Sequence, residues 1–176
     1  MELALASAGM SPSALHLGLA LRLLVLLALA NGTPLAAVKL LGRRWSWPLD
    51  GGLRFLDGRP LFGASKTVRG IAVAVLATTA GAPLLGLSWR LGLVVGLTAM
   101  AGDLISSFVK RRLGLPPSSR ASGLDQIPEA LLPLLVCRSA LGLSLEDIAL
   151  TLLLFVGGEV VLSRLLFRIG WRDRPY

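Results

Sequence analysis

LGLVVGLTAMAGDLISSFV, residues 91–109, decides the fold. The run is apolar apart from Asp103 and a few hydroxyls, and its length approaches the roughly 20 residues that carry an α-helix across a bilayer. Asp103, Ser106, Ser107 and Lys110 stand at i, i+3, i+4 and i+7, so they line one face of that helix while Leu, Val, Ala, Met and Ile cover the rest. At about 1.5 Å per residue Asp103 lies roughly 10 Å inside the helix end. An unpaired carboxylate there costs about 2.5–3.5 kcal/mol on insertion scales. Metal or phosphate binding would offset that cost. The structural alternative is an ion pair with Lys110 or Arg111 that only packs helices.

Working outward, further apolar runs predict helices at about Ala14 to Leu41, Val68 to Leu87, Leu91 to Val109, Ile127 to Leu143 and Leu145 to Ile169. The fold class is therefore all-α: a polytopic integral membrane protein of about five transmembrane helices, residues 1–176 forming one membrane-embedded domain. Composition agrees, with 54% hydrophobic and 16% charged residues and a mean hydropathy of +0.72, outside the usual range of soluble domains. Residues 1–14 carry no Lys or Arg, so the first run reads as a retained helix rather than a signal peptide. Asn31, Gly32 and Pro34 weaken it, and a bend near Asn31 could divide it in two.

The net charge of +8 falls between apolar blocks and offers no folded basic surface, which argues against a nucleic-acid partner. Fifteen of the eighteen Lys and Arg residues lie in Lys39–Arg69, Lys110–Arg120 and Arg164–Arg174. Five crossings put these regions on one side, the cytoplasmic one by the positive-inside rule, with the N-terminus outside and the C-terminus inside. The four tryptophans, Trp45, Trp47, Trp89 and Trp171, fall beside predicted helix ends, where the headgroup layer favours them. Cys137 is the only cysteine, which excludes an intrachain disulfide or a cysteine-ligated zinc site.

Chemistry then belongs to two cytoplasmic loops, about Gly42 to Thr67 and Lys110 to Gln126. In the second, Asp125 returns toward Asp103, and two carboxylates beside Lys110 and Arg111 make an oxygen-rich site for Mg²⁺. Asp125 could equally serve as a helix N-cap. The first loop delivers Lys66, Thr67 and Arg69 to a helix N-terminus, an anion site without P-loop spacing. Glu159 and Arg22 are intramembrane ions that could pair with one another or with polar groups around Asn31. His16, near the outer end of the first helix, points to nothing specific.

Gly102-Asp103 through Ser107-x-x-Lys110-Arg111, followed by Gly123-Leu124-Asp125-Gln126, resembles the CDP-archaeol synthase family, relatives of the CDP-diacylglycerol synthases. Pro48-Leu49-Asp50, Asp57-Gly58-Arg59 and Gly63-x-Ser65-Lys66-Thr67-x-Arg69-Gly70 look like that family's first loop, and Asn31 with Pro34 fits its first-helix pattern. The resemblance implies cytidylyl transfer from CTP to a membrane lipid phosphate of isoprenoid glycerol ether type, giving a CDP-lipid and pyrophosphate. It implies Asp103, Asp125, Lys110 and Lys66 as catalytic residues and Asp103 and Asp125 as Mg²⁺ ligands. Asn31, Asp57, Ser65, Lys66, Thr67, Arg69, Ser107, Lys110, Arg111 and Gln126 would bind substrate. The partners are CTP, the lipid phosphate and the bilayer of the cell (inner) membrane, and a homo-oligomer is compatible with the sequence. The chain departs from the family after Gln126, where Pro128 and Glu129 replace the usual spacing of a further acidic residue. The longer H-G-G-x-x-D-R-x-D ending of the diacyl enzymes is missing. A small transporter using Glu159 and Arg22 is the competing class, disfavoured because no inverted repeat is visible.

Overall fold

The computed structural model describes residues 16–42, 44–116, 125–168 and 170. Among them are five helices: α1 (Leu17–Leu41), α2 (Val68–Leu84), α3 (Trp89–Arg112), α4 (Gln126–Leu141) and α5 (Leu145–Arg168). The predicted starts and ends at Ala14 and Ile169, and Trp171, fall outside the described residues. α1, α3 and α5 are long and apolar enough to cross a membrane, and α2 is a shorter apolar helix. Exposed Leu40, Leu76, Leu153 and Val161 cover the outer surface with side chains suited to lipid. No β-strand occurs among the described residues; the first loop carries only two isolated antiparallel bridges, Pro48 with Thr67 and Arg54 with Pro60.

Successive helices run up and down. Short turns at one end join α2 to α3 and α4 to α5, and longer loops at the other join α1 to α2 and α3 to α4. α3 packs against α1, α2 and α4. Lipid tails give little hydrophobic drive between helices, so close approach of small residues carries the packing. A Cβ on Gly92 would meet the Thr78 carbonyl at 2.3 Å, and one on Gly102 the Pro128 carbonyl oxygen at 2.2 Å. These two glycines let α3 touch the backbones of α2 and α4. Leu26, Leu27, Ala82, Val95, Ala130 and Phe155 fill the centre.

The boundaries have local causes. Thr67 caps α2 by accepting the Gly70 N–H at 3.1 Å, and Ser88 caps α3 by accepting that of Leu91 at 3.2 Å. Ser144 and Asp147 form a reciprocal capping box at the start of α5. His16 adds to it, donating its backbone N–H to Asp147 at 2.8 Å with its ring at 3.3 Å, so the N-terminal ends of α1 and α5 are tied together.

Two expectations need correction. α1 is continuous through Asn31, Gly32 and Pro34; the helix is held across this stretch by tertiary packing, with Pro34 lying against Gly70 of α2 and the Thr33 hydroxyl donating to the Leu29 carbonyl at 2.7 Å. α3 runs on through Lys110, Arg111 and Arg112, which belong to its last turn and not to the following loop. Three cations there complement the helix C-terminus.

Candidate functional site

The polar face of α3 points into the protein at the end that carries the two long loops. Ser106, Ser107, Lys110 and Arg111 are buried, and Ser106 donates to the Asp103 carbonyl at 2.9 Å. Asp103 does not pair with Lys110 or Arg111. Its partner is Lys66, brought in by the first loop, whose Nζ lies 2.6 Å from both carboxylate oxygens. Lys110 instead binds Asp125 at 2.5 Å. Asp125 precedes α4 but makes no side-chain capping bond, so the ion pair replaces the N-cap role. Two Lys–Asp pairs thus join the starts of α2 and α4 to α3.

Around them stand the other expected residues. Gln126 and Arg69 are buried, as is Glu129, which lies within electrostatic reach of Asp103, Lys66, Asp125 and Glu159. The Nε and Nη1 of Arg111 are buried and meet no hydrogen-bond partner among the described residues. A guanidinium so placed calls for anionic oxygens. Arg69 donates through Nη1 to the carbonyls of Gly42, at 3.0 Å, and Arg44, tying the end of α1 to α2, while its Nε and Nη2 are likewise unpartnered. Ser65 is exposed, and Thr67 is occupied as the α2 cap. Asn31 stands apart, donating to Glu159 at 2.8 Å. This bond satisfies one carboxylate oxygen of Glu159 from α1, while Arg22 is exposed on the surface.

The first loop is organised by residues that patterning alone did not single out. Asp50 accepts the backbone N–H groups of Gly52, Phe62 and Gly63 at 2.9–3.1 Å. Burial would raise its pKa, but these three donors outweigh it and hold the carboxyl below its ordinary value of 3.8. Arg112 fastens the loop to α3: its guanidinium packs on Phe55 and Phe108 at 4.7 and 4.8 Å, pairs with Asp57 at 3.1 Å and donates to the Pro60 carbonyl at 2.6 Å. Arg59 returns the contact by donating to the Arg112 carbonyl. Asp57 is therefore engaged in holding the loop. The Arg112 role was hidden because its partners lie some fifty positions away.

Among the described residues no three Asp, Glu, His or Cys side chains gather closely enough to hold a metal by themselves. Asp103 and Asp125 offer hard oxygen donors of the kind Mg²⁺ takes, commonly one or two carboxylates completed by water and substrate phosphates. That donor chemistry fits the ion.

The chain matches the family described as CarS-like CDP-archaeol synthase over residues 21–176. It is 35% identical over 137 residues to the CDP-archaeol synthase of Sulfurisphaera tokodaii, covering 73% of this chain and 81% of that protein. To that of Pyrobaculum calidifontis it is 43% identical over 112 residues, 61% and 66% of the two chains. A solved intramembrane enzyme for archaeal membrane lipids biosynthesis superposes with a TM-score of 0.60 at 31% identity, covering 77% of this chain and 92% of that one. The chain belongs to the CDP-archaeol synthase family of membrane enzymes.

Proposed function

We propose that the protein transfers a cytidylyl group from CTP to the phosphate of an isoprenoid glycerol ether lipid, forming a CDP-lipid and pyrophosphate. The observation that carries this reading is the pair of lysine-held carboxylates, Lys66–Asp103 and Lys110–Asp125, beside the unsatisfied Arg111 guanidinium at one end of a lipid-facing bundle. The names of the relatives support the same reaction.

A phosphate monoester has a second pKa near 6 and is largely dianionic at pH 7. One of its oxygens attacks the α-phosphorus of CTP, the bond from that phosphorus to the bridging oxygen breaks, and pyrophosphate departs with the electron pair. No strong base is needed. The protein's task is to hold two polyanions in line and neutralise their charge. Lys66, Lys110 and Arg111 would do this on the triphosphate, with Arg69 fixing the start of α2. Asp103 and Asp125 would hold Mg²⁺, which when bound supplies charge neutralisation at the transferring phosphoryl oxygens.

The charge bias puts the loop end of the bundle in the cytoplasm, where CTP is available, and the N-terminus on the opposite side. Protease or reporter mapping of the 42–67 loop tests that orientation. The reaction is tested by pyrophosphate release from CTP by purified protein with Mg²⁺, comparing an unsaturated dialkylglycerol phosphate with phosphatidic acid. Activity restricted to the ether lipid is expected. Folded protein that releases no pyrophosphate with either acceptor would refute the assignment.

A further inference from the structure

An apolar groove of about 220 Å³ runs between α1 and α5, from Leu24 to Leu35 on one wall and from Leu154 to Leu166 on the other. At 1.5 Å per residue it extends about 16 Å along the helices. That is roughly half the thickness of a bilayer's hydrocarbon core.

Three features distinguish this groove from a packing defect. The first concerns its glycines. Gly32 and Gly158, one on each helix, line it, yet a Cβ on either would meet no atom within 4 Å. Glycine weakens a helix relative to alanine. At Gly92 and Gly102 helix contact explains that cost, but here it keeps space open. The second is a half-buried polar pair in an apolar wall: Asn31 donates to Oε1 of Glu159 at 2.8 Å, while the Oε2 atom of Glu159 is buried with no hydrogen-bond partner among the described residues. The carboxylate fixes which way the Asn31 amide faces, since only Nδ2 can donate to it, and leaves the second Nδ2 hydrogen for a ligand. The third is position. Asn31, Asp103 and Glu159 are each the fifteenth residue of their helices, and Glu159 shares the electrostatic neighbourhood of Glu129 with Asp103 and Lys66. The polar station of the groove therefore lies at the level of the candidate catalytic carboxylate.

From these we infer that the α1–α5 groove seats one hydrocarbon chain of the acceptor lipid, with the Asn31 amide, oriented by Glu159, donating to the oxygen that links chain to glycerol. This rests on the proposed cytidylyl transfer and adds to it where the acceptor enters. The volume is below the roughly 300–1,000 Å³ of pockets that enclose a whole drug-sized ligand, so the groove holds the part of one chain nearest the headgroup and leaves the remainder in the bilayer. Glu159 is a positioning residue.

Gly158→Phe tests the inference, because a Cβ there meets no atom within 4 Å and the ring beyond it takes up groove space. The expected result is a KM for long-chain dialkylglycerol phosphate raised at least tenfold, with the KM for CTP and turnover of a short-chain glycerol phosphate ester unchanged. Glu159→Gln, which keeps the shape, should raise the long-chain KM less than Glu159→Ala does. An unchanged long-chain KM in Gly158→Phe, or an equal loss on long and short acceptors, overturns the inference. A change in oligomeric state by light scattering would assign the groove to a second copy and also overturn it. A binding assay separates this from the reaction itself. Leu162→Trp places an indole in the groove, and a dialkylglycerol phosphate with a brominated chain should quench it saturably in detergent, with quenching lost in the Gly158→Phe background. Quenching without any pyrophosphate release would keep the groove and refute the reaction; release without quenching would do the reverse.

Discussion

Gly102→Ala adds one methyl where α3 crosses α4, and its Cβ would sit 2.2 Å from the Pro128 carbonyl oxygen, 2.5 Å from its carbonyl carbon and 2.8 Å from the Glu129 Cα. All three are backbone atoms, so no side chain can rotate away. Ordinary contact begins near 3.4 Å, and the helices must separate by about 1 Å. Overpacking of this kind costs about 1–3 kcal/mol. The displaced segment carries Asp125, Gln126 and Glu129, so the Lys110–Asp125 pair moves with it, and a 1 Å misplacement at a reacting centre costs on the order of 10²-fold in rate. The expected result is pyrophosphate release down about a hundredfold with a modest fall in melting temperature. Gly92→Ala is the control, for it meets the Thr78 carbonyl at 2.3 Å near the opposite end of α3. It should lose similar thermal stability but keep activity within about threefold. Equal activity losses in the two folded variants, or near-native turnover in Gly102→Ala, would refute the reasoning.

Asp103→Asn and Asp125→Asn should each lower turnover by 10²-fold or more while leaving helicity by circular dichroism intact, since each removes an anion from a partly buried ion pair; full activity in both would remove the metal assignment. Chelating divalent cations should abolish turnover without changing the melting temperature, and Mg²⁺ should restore it. Arg112→Ala frees the first loop from Phe55, Phe108 and Asp57 and should raise the KM for CTP about tenfold, with faster proteolysis between residues 44 and 67 as the structural readout. Because the Asp50 carboxyl is held below 3.8 in the folded loop, its contribution is fully present above that pH and is lost as pH falls through the lower folded value. Asp50→Asn should therefore remove part of the acid-induced rise in loop proteolysis below about pH 3.8 while lowering loop protection at neutral pH.

Much of this architecture is legible in the sequence because the bilayer imposes a simple rule. Long apolar runs must be helices, and α1, α3 and α5 follow from length and composition. The polar face of α3 is equally legible, since Asp103, Ser106, Ser107 and Lys110 repeat at helical spacing inside an apolar run. The partners are not. Lys66 reaches Asp103 across 37 positions, a contact fixed by the close packing of α2 on α3, which no local pattern announces. Asn31 and Glu159, 128 positions apart, could be paired in principle as two polar residues stranded in apolar runs, and that reading holds. The suspected break in α1 misled because propensity weighs Asn31, Gly32 and Pro34 as an isolated peptide would feel them, whereas α1 is braced by α2, α3 and α5. Asp50 shows no periodic signal, because its role is to gather backbone N–H groups in an irregular loop.

The lysine-held carboxylates carry a consequence for the order of events. A cation reaching Asp103 must displace the ammonium of Lys66, and a polyanion that draws Lys66 toward itself uncovers Asp103. The same exchange holds for Lys110 and Asp125. Each newcomer thus lowers the cost of admitting the other, and by thermodynamic reciprocity the coupling is identical in both directions. On the proposed function, the two lysines would act as an interlock that keeps stray divalent ions weakly bound until a nucleotide arrives with them.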